Sequence, residues 1–147
     1  MRELLLNIQE ELQNSSSLNY ISDDNIIITE IENYIPNASK VPLITIKDYG
    51  SSNDQQIGKK YRQTSRVIIN IYNRVLEIGK SLMDVNRGIL KIESDIFNIL
   101  IDNHLDICEI TNSFPIIQES TKNIRIEKDI ISYKRLIMEY SSYRRWT

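Results

Sequence analysis

Cysteine occurs once in this chain, at Cys108, which excludes an internal disulfide framework and fits a reducing compartment. Histidine also occurs once, at His104, so no histidine pair is present to hold a metal. The four glycines (Gly50, Gly58, Gly79 and Gly88) are scattered, and they form neither a phosphate-cradling loop nor a dinucleotide fingerprint. Three prolines are too few for a proline-rich linker, and no apolar run is long enough to span a bilayer. Alanine appears only at position 38, against 28 isoleucines and 14 asparagines. Ile and Asn codons are rich in A and T, so mutational bias explains part of the isoleucine content. Its preference for strands is discounted accordingly.

Charge is nearly balanced, with 18 basic and 20 acidic residues, and creates no global field that would demand nucleic acid. Its distribution is uneven. Residues 1–57 carry three basic and nine acidic side chains, whereas residues 58–147 carry fifteen and eleven. Opposite signs at the two ends suit head-to-tail association. The stretch Met1 to Leu12 mixes leucines with Glu3, Glu10 and Glu11 and lacks the apolar centre of a signal peptide. The expectation is a soluble protein with no membrane contact, made or assembled in the cytoplasm. A chain of 147 residues can bury roughly 70% of its unfolded surface, enough for one core, so residues 1–147 are read as a single domain.

Taken in order, residues 2–13 place Leu5, Ile8 and Leu12 on one helical stripe with Leu4 beside them. Asn14-Ser15-Ser16-Ser17 ends that helix. Ile26 to Thr29 reads as a strand that can extend to Ile31, and Leu43 to Ile46 as a second, started by Pro42 at a strand beginning or edge. Residues 48–65 are polar apart from Tyr49, Ile57 and Tyr61 and read as a long loop. From Arg66, Val67, Ile69 and Ile71 alternate with Ile68, Asn70 and Tyr72, which predicts a strand. From Asp84 the period changes, and Val85, Ile89, Ile92, Ile96 and Ile99 predict a long amphipathic helix closed by Asn103-His104. Leu105, Ile107 and Ile110 start a further strand.

In the segment 112–147, Ile124 to Glu127 alternates as a strand does. Between Asp129 and Tyr140 both periods fit, and the preference of Tyr and Ile for strands favours the strand. The expected fold class is therefore α+β: a mainly antiparallel sheet of about four to five strands, with the N-terminal helix and one long amphipathic helix packed on it.

Catalytic chemistry is not signalled. His104 stands near Asp102 and Asp106, but neighbours two residues apart on a helix point in different directions, and a capping or solvent-facing role suits it better. Cys108 lacks a helper base and reads as a small buried residue. Neither a cofactor nor a metal is expected. Two clusters are suited to contacts. Lys59, Lys60, Arg62 and Arg66 surround Tyr61, and Tyr143-Arg144-Arg145-Trp146 forms an aromatic and basic tail. Either suits a partner protein, and the first also fits a small nucleic-acid-binding module.

The order of features resembles the tail terminator, or tail completion, proteins of tailed bacteriophages. The residues that carry the resemblance are the opening helix from Arg2 to Gln13, Leu18 to Ile21, and "NYIPNASKVPLITIKDYG" from Asn33 to Gly50. A polar loop, "RVIINIYNR" from Arg66 and the helix "GILKIESDIFNIL" from Gly88 follow. The likeness covers most of residues 1–103 and has no catalytic residues to carry over. It implies an α/β subunit that assembles with itself, as a hexameric ring, on the phage tail tube next to the head-side connector. That implies a virion tail or neck component assembled in the host bacterial cytoplasm, with DNA passing through non-specifically. Loop 48–65 and the C-terminal segment would lie at subunit contacts. Another neck ring, such as a head-closure or adaptor ring, stands as the nearest alternative.

Overall fold

The protein is described from a computed structural model, which covers residues 1–31, 34, 36–37, 40–75, 88–105, 107, 110–126 and 128–145. Helix α1 (Arg2–Asn14) opens the chain, and two short 3-10 turns lead to strand β1 (Ile26–Ile28). Strands β2 (Leu43–Gln55) and β3 (Lys60–Arg74) form a hairpin. Helix α2 (Ile89–Leu100) comes next, then β4 (Ile110–Gln118), β5 (Lys122–Ile126) and β6 (Asp129–Arg145). The six strands form one sheet in the order β1-β2-β3-β6-β4, with β5 also paired to β6. All pairs are antiparallel except β1 with β2, which is parallel. Residues 29–42 make that crossover, since parallel neighbours cannot be joined by a tight turn.

Both helices lie against the same face of the sheet. The α1 stripe buries Leu4, Ile8 and Leu12, while α2 buries Ile89, Ile92, Ile96 and Leu100. They meet the alternate residues Ile44 and Ile46 of β2, Val67, Ile69 and Ile71 of β3, and Leu136, Met138 and Tyr140 of β6. Each fully buried Ile or Leu contributes roughly 1.5–3 kcal/mol relative to exposure. Polar side chains tie the helices in place. Asn7 Nδ2 donates to the Leu105 carbonyl at 2.8 Å, and Gln9 Nε2 donates to the Ile26 carbonyl at 2.9 Å. Past α2, Ser113 Oγ of β4 donates to the Leu100 carbonyl at 3.1 Å, satisfying one of the acceptors that a helix C-terminus leaves open.

On the opposite face a smaller cluster of Leu43, Tyr72 and Ile131 is packed by Tyr34 and Val41 from the crossover. Tyr72 donates to the Tyr34 carbonyl at 2.8 Å and stacks on Tyr133 with ring centroids 6.0 Å apart. Residues 67–72 of β3 are consequently buried on both faces.

Several sequence expectations hold. The first helix spans Arg2–Asn14, β1 and β5 fall where the alternation puts them, and the ambiguous stretch 129–140 is strand. Others are corrected. The sheet has six strands and is mixed, larger than the four to five expected. Residues 48–65 are not a loop: β2 runs to Gln55, β3 starts at Lys60, and paired strand backbone accounts for most of the stretch. The physical reason is that β2 and β3 continue to pair beyond the helices, where no apolar alternation is needed. Helix α2 has 12 residues, fewer than the 13 of α1, and it ends at Leu100, ahead of Asn103-His104. Val85, placed on its stripe, lies outside the described residues. Leu105 and Ile107 precede the strand that begins at Ile110, and each is buried against the helices.

Candidate functional site

Strand register assembles the candidate surface. β3 and β6 are partners throughout, from Lys60 opposite Arg145 to Arg74 opposite Ile131. At roughly 3.3 Å per residue, the shared ladder is about 45–50 Å long. The helices cover only part of it, and residues 48–60 of the hairpin are all exposed. In this projecting end Tyr61 lies opposite Arg144 and Arg62 opposite Tyr143. The two clusters read separately in the sequence therefore meet at one end of the sheet. Trp146 lies outside the described residues.

Two local devices shape the arm. Near its base, Tyr49 and Gly50 of β2 stand against the single residue Arg66 of β3, a bulge in which Gly50 takes a φ of 88°. At its tip the Gln56 amide donates to the Lys60 carbonyl at 2.9 Å, and Gly58 supplies the left-handed residue with a φ of 77°. Ile57 sits at that tip and is 97% exposed.

The basic residues do not share one face. Opposite partners and residues two apart follow the pleat, so Arg62, Tyr143, Arg66 and Glu139 belong to the face away from the helices. Tyr61 and Arg144 belong to the helix side. On the outer face, Arg62 donates to Asp54 Oδ2 at 2.8 Å and Arg66 Nε to Glu139 Oε2 at 3.2 Å. The hydrogen bond and charge of Asp54 raise the Arg62 pKa above the usual guanidinium range. Phe114 lies in the same row as Arg66 and Glu139, and Phe114, Ile117, Tyr49 and Tyr143 remain substantially exposed. Lys59 and Lys60 are exposed at the tip. A face of aromatic and aliphatic side chains around internally paired arginines has the composition of a protein interface. Nucleic-acid grooves instead present cations to phosphate.

On the helix side, a cavity of about 300 Å³ opens where the arm meets the start of α1. Its surface is mostly polar, with Glu3, Tyr61, Gln63 and Ser65 in the lining, and the core residues Leu4, Ile107 and Ile110 contribute little to it. Tyr140 and Arg144 are among the residues around it, and the Tyr140 hydroxyl and Arg144 Nε are shut off from solvent without a hydrogen-bond partner among the described residues. Burial pushes the Tyr140 phenol above its ordinary range.

Asp54, Glu139, Phe114 and Ile117 were not singled out from the sequence. Their role depends on cross-strand register, which no local pattern encodes. His104 is exposed, and among the described residues no cluster of three His, Cys, Asp or Glu side chains is arranged to hold a metal. Cys108 falls outside the described residues. No helix among those described is long and apolar enough to cross a membrane.

Neither a known protein family nor a curated protein matches the sequence. A chain from the virion of a native gene transfer agent particle has a similar fold, with a TM-score of 0.65 over 96% of this chain and 95% of that one. The two are 9% identical in sequence, and the likeness is one of fold.

Proposed function

We propose that this chain is a structural subunit of a phage-type virion, assembling in the host bacterial cytoplasm into a ring of about six copies at the end of the tail tube. In that position it would terminate the tube and meet the head-side connector, with DNA passing through. The observation that carries this reading is the likeness in fold to a virion chain, which extends over almost the whole of both molecules. The order of sequence features resembles tail terminator proteins and adds support. So does the outer face of the arm, where exposed Tyr49, Tyr143 and Phe114 flank arginine–carboxylate pairs. Among the described residues the sheet also ends at β1 on one side and at β4 and β5 on the other, edges that ring closure would cover. Under this reading Tyr49, Arg62, Arg66 and Tyr143 work as contact residues.

Electron microscopy and sedimentation of the purified protein, alone and mixed with tail tubes, test the proposal. Rings of about six subunits, or caps on tube ends, are expected. A protein that stays monomeric at high concentration and ignores tubes sinks it. Rings that bind portal-side components and ignore tubes would instead favour a head-closure or adaptor ring.

A further inference from the structure

The two sides of the sheet carry opposite charge. On the β1 side, residues 3–39 include seven acidic side chains and no basic one. Asp23 and Asp24 shortly precede β1, Glu30 follows it, and all three are exposed. On the other side, β5 carries Lys122 and Arg125, and Lys128 stands in the turn to β6; these are exposed as well. None of these six side chains forms an ion pair with another described residue. Glu119, the carboxylate between β4 and β5, already faces Arg135. Each side also presents apolar groups. Ile31, just past β1, is 57% exposed, and Phe114 and Ile117 stay substantially exposed on β4.

The strand ladder sets these features at matching heights. Ile28 lies level with Ile46, Ile69, Leu136 and Gln118 across the sheet. Beyond that row towards the arm come Ile31 on one side and Ile117 and Phe114 on the other. In the opposite direction come Asp24 and Asp23 on one side and Lys122 and Arg125 on the other. We propose that the β1 side of one copy packs against the β4–β5 side of a second copy. Asp23 and Asp24 then face Lys122 and Arg125, while Ile31 faces Phe114 and Ile117. Opposite charges at one height and apolar groups at another fix the register of the two molecules. A single copy cannot make this contact, because β2, β3 and β6 separate its two sides. The contact joins two different patches, so it repeats from copy to copy and closes a ring when the rotation permits. The inference rests on the proposed self-assembly and names the contact that drives it.

The test uses the full chain and reverses charge on one side at a time. Asp23→Lys with Asp24→Lys, and separately Lys122→Glu with Arg125→Glu, are each expected to raise the concentration needed for assembly. The rise should be at least about tenfold, the equivalent of losing 1.4 kcal/mol. Mixed in equal amounts, the two variants should assemble again, because each then meets opposite charge on both sides. Ile31→Asp should weaken assembly as well. Every changed residue is exposed, so the circular dichroism of each protomer should match the wild type. Rings that form normally from either charge variant, or a mixture that fails to recover, overturn this contact and leave the ring reading standing. A wild-type protein that never self-associates overturns both.

Discussion

Lys134 Nζ of β6 lies 2.8 Å from Glu93 Oε2 of α2, and both side chains are close to fully buried, at 12% and 11% exposure. The pair joins the helix to the strand that the rest of the sheet is arranged around. Removing one member would strand the other charge inside the protein, which costs about 3–5 kcal/mol in comparable buried pairs. Glu93→Ala is expected to lower the urea midpoint by an amount in that range. The double variant Glu93→Leu with Lys134→Met should recover most of the loss. Equal destabilisation by the single and double variants would show that packing volume, and not charge, is what matters there.

Buried tyrosines make stability fall at alkaline pH. Burial raises the phenol pKa of Tyr140 and Tyr72, and burial together with the Asp95 carboxylate raises that of Tyr20. Tyr20 donates to Asp95 Oδ2 at 2.9 Å, a bond that needs the protonated phenol. In the unfolded chain these groups ionise near pH 10. Above that pH the unfolded state holds fewer protons than the folded state, so stability must fall as pH rises. The expected profile is flat through neutrality on account of these groups and declines from about pH 10, by about 1.4 kcal/mol per pH unit from Tyr140 alone. Urea midpoints measured from pH 7 to 11.5 check it, and Tyr140→Phe should make the decline shallower.

The basic residues of the arm should separate into two classes in any test with DNA. Arg62 and Arg66 already face Asp54 and Glu139, whereas Lys59 and Lys60 stand at the tip. Each phosphate neutralised steepens the dependence of log K on log salt by about 0.9. Changing Lys59 and Lys60 to Gln should flatten whatever slope the protein shows, by about two such steps at most. Changing Arg62 and Arg66 to Gln should leave it nearly untouched. A large effect of the arginines would return the nucleic-acid reading to consideration.

What the sequence made legible was the part of the fold in which one face meets the core. Leu4, Ile8 and Leu12 recur at helical spacing because α1 has a single buried stripe, and Ile124 alternates with its neighbours because β5 is a half-exposed strand. The outer arm was illegible for the opposite reason. Ser51, Ser52, Asn53 and Asp54 are exposed in a strand, so burial imposes no period on them, and their types have little strand preference. Gly58 was visible, but its positive φ as the turn signal was not. The buried carboxylates of α2 were hidden in another way. Glu93 and Asp95 look like solvent-facing helix residues until Lys134 and Tyr20, distant in sequence, are placed beside them. The meeting of Arg62 with Tyr143 likewise belongs to two strands at once.

Strand β6 follows every other strand in the chain yet is internal to the sheet, between β3 on one side and β4 and β5 on the other. During synthesis, β3 can pair with β2, but its second edge and the whole of β4 must wait for residues 129–145 to leave the ribosome. Contacts that span so much sequence slow folding. Until then the nascent chain carries unpaired strand edges rich in isoleucine, the kind of surface on which chains stick to each other. Cells making this protein in quantity would meet that hazard before the sheet is complete.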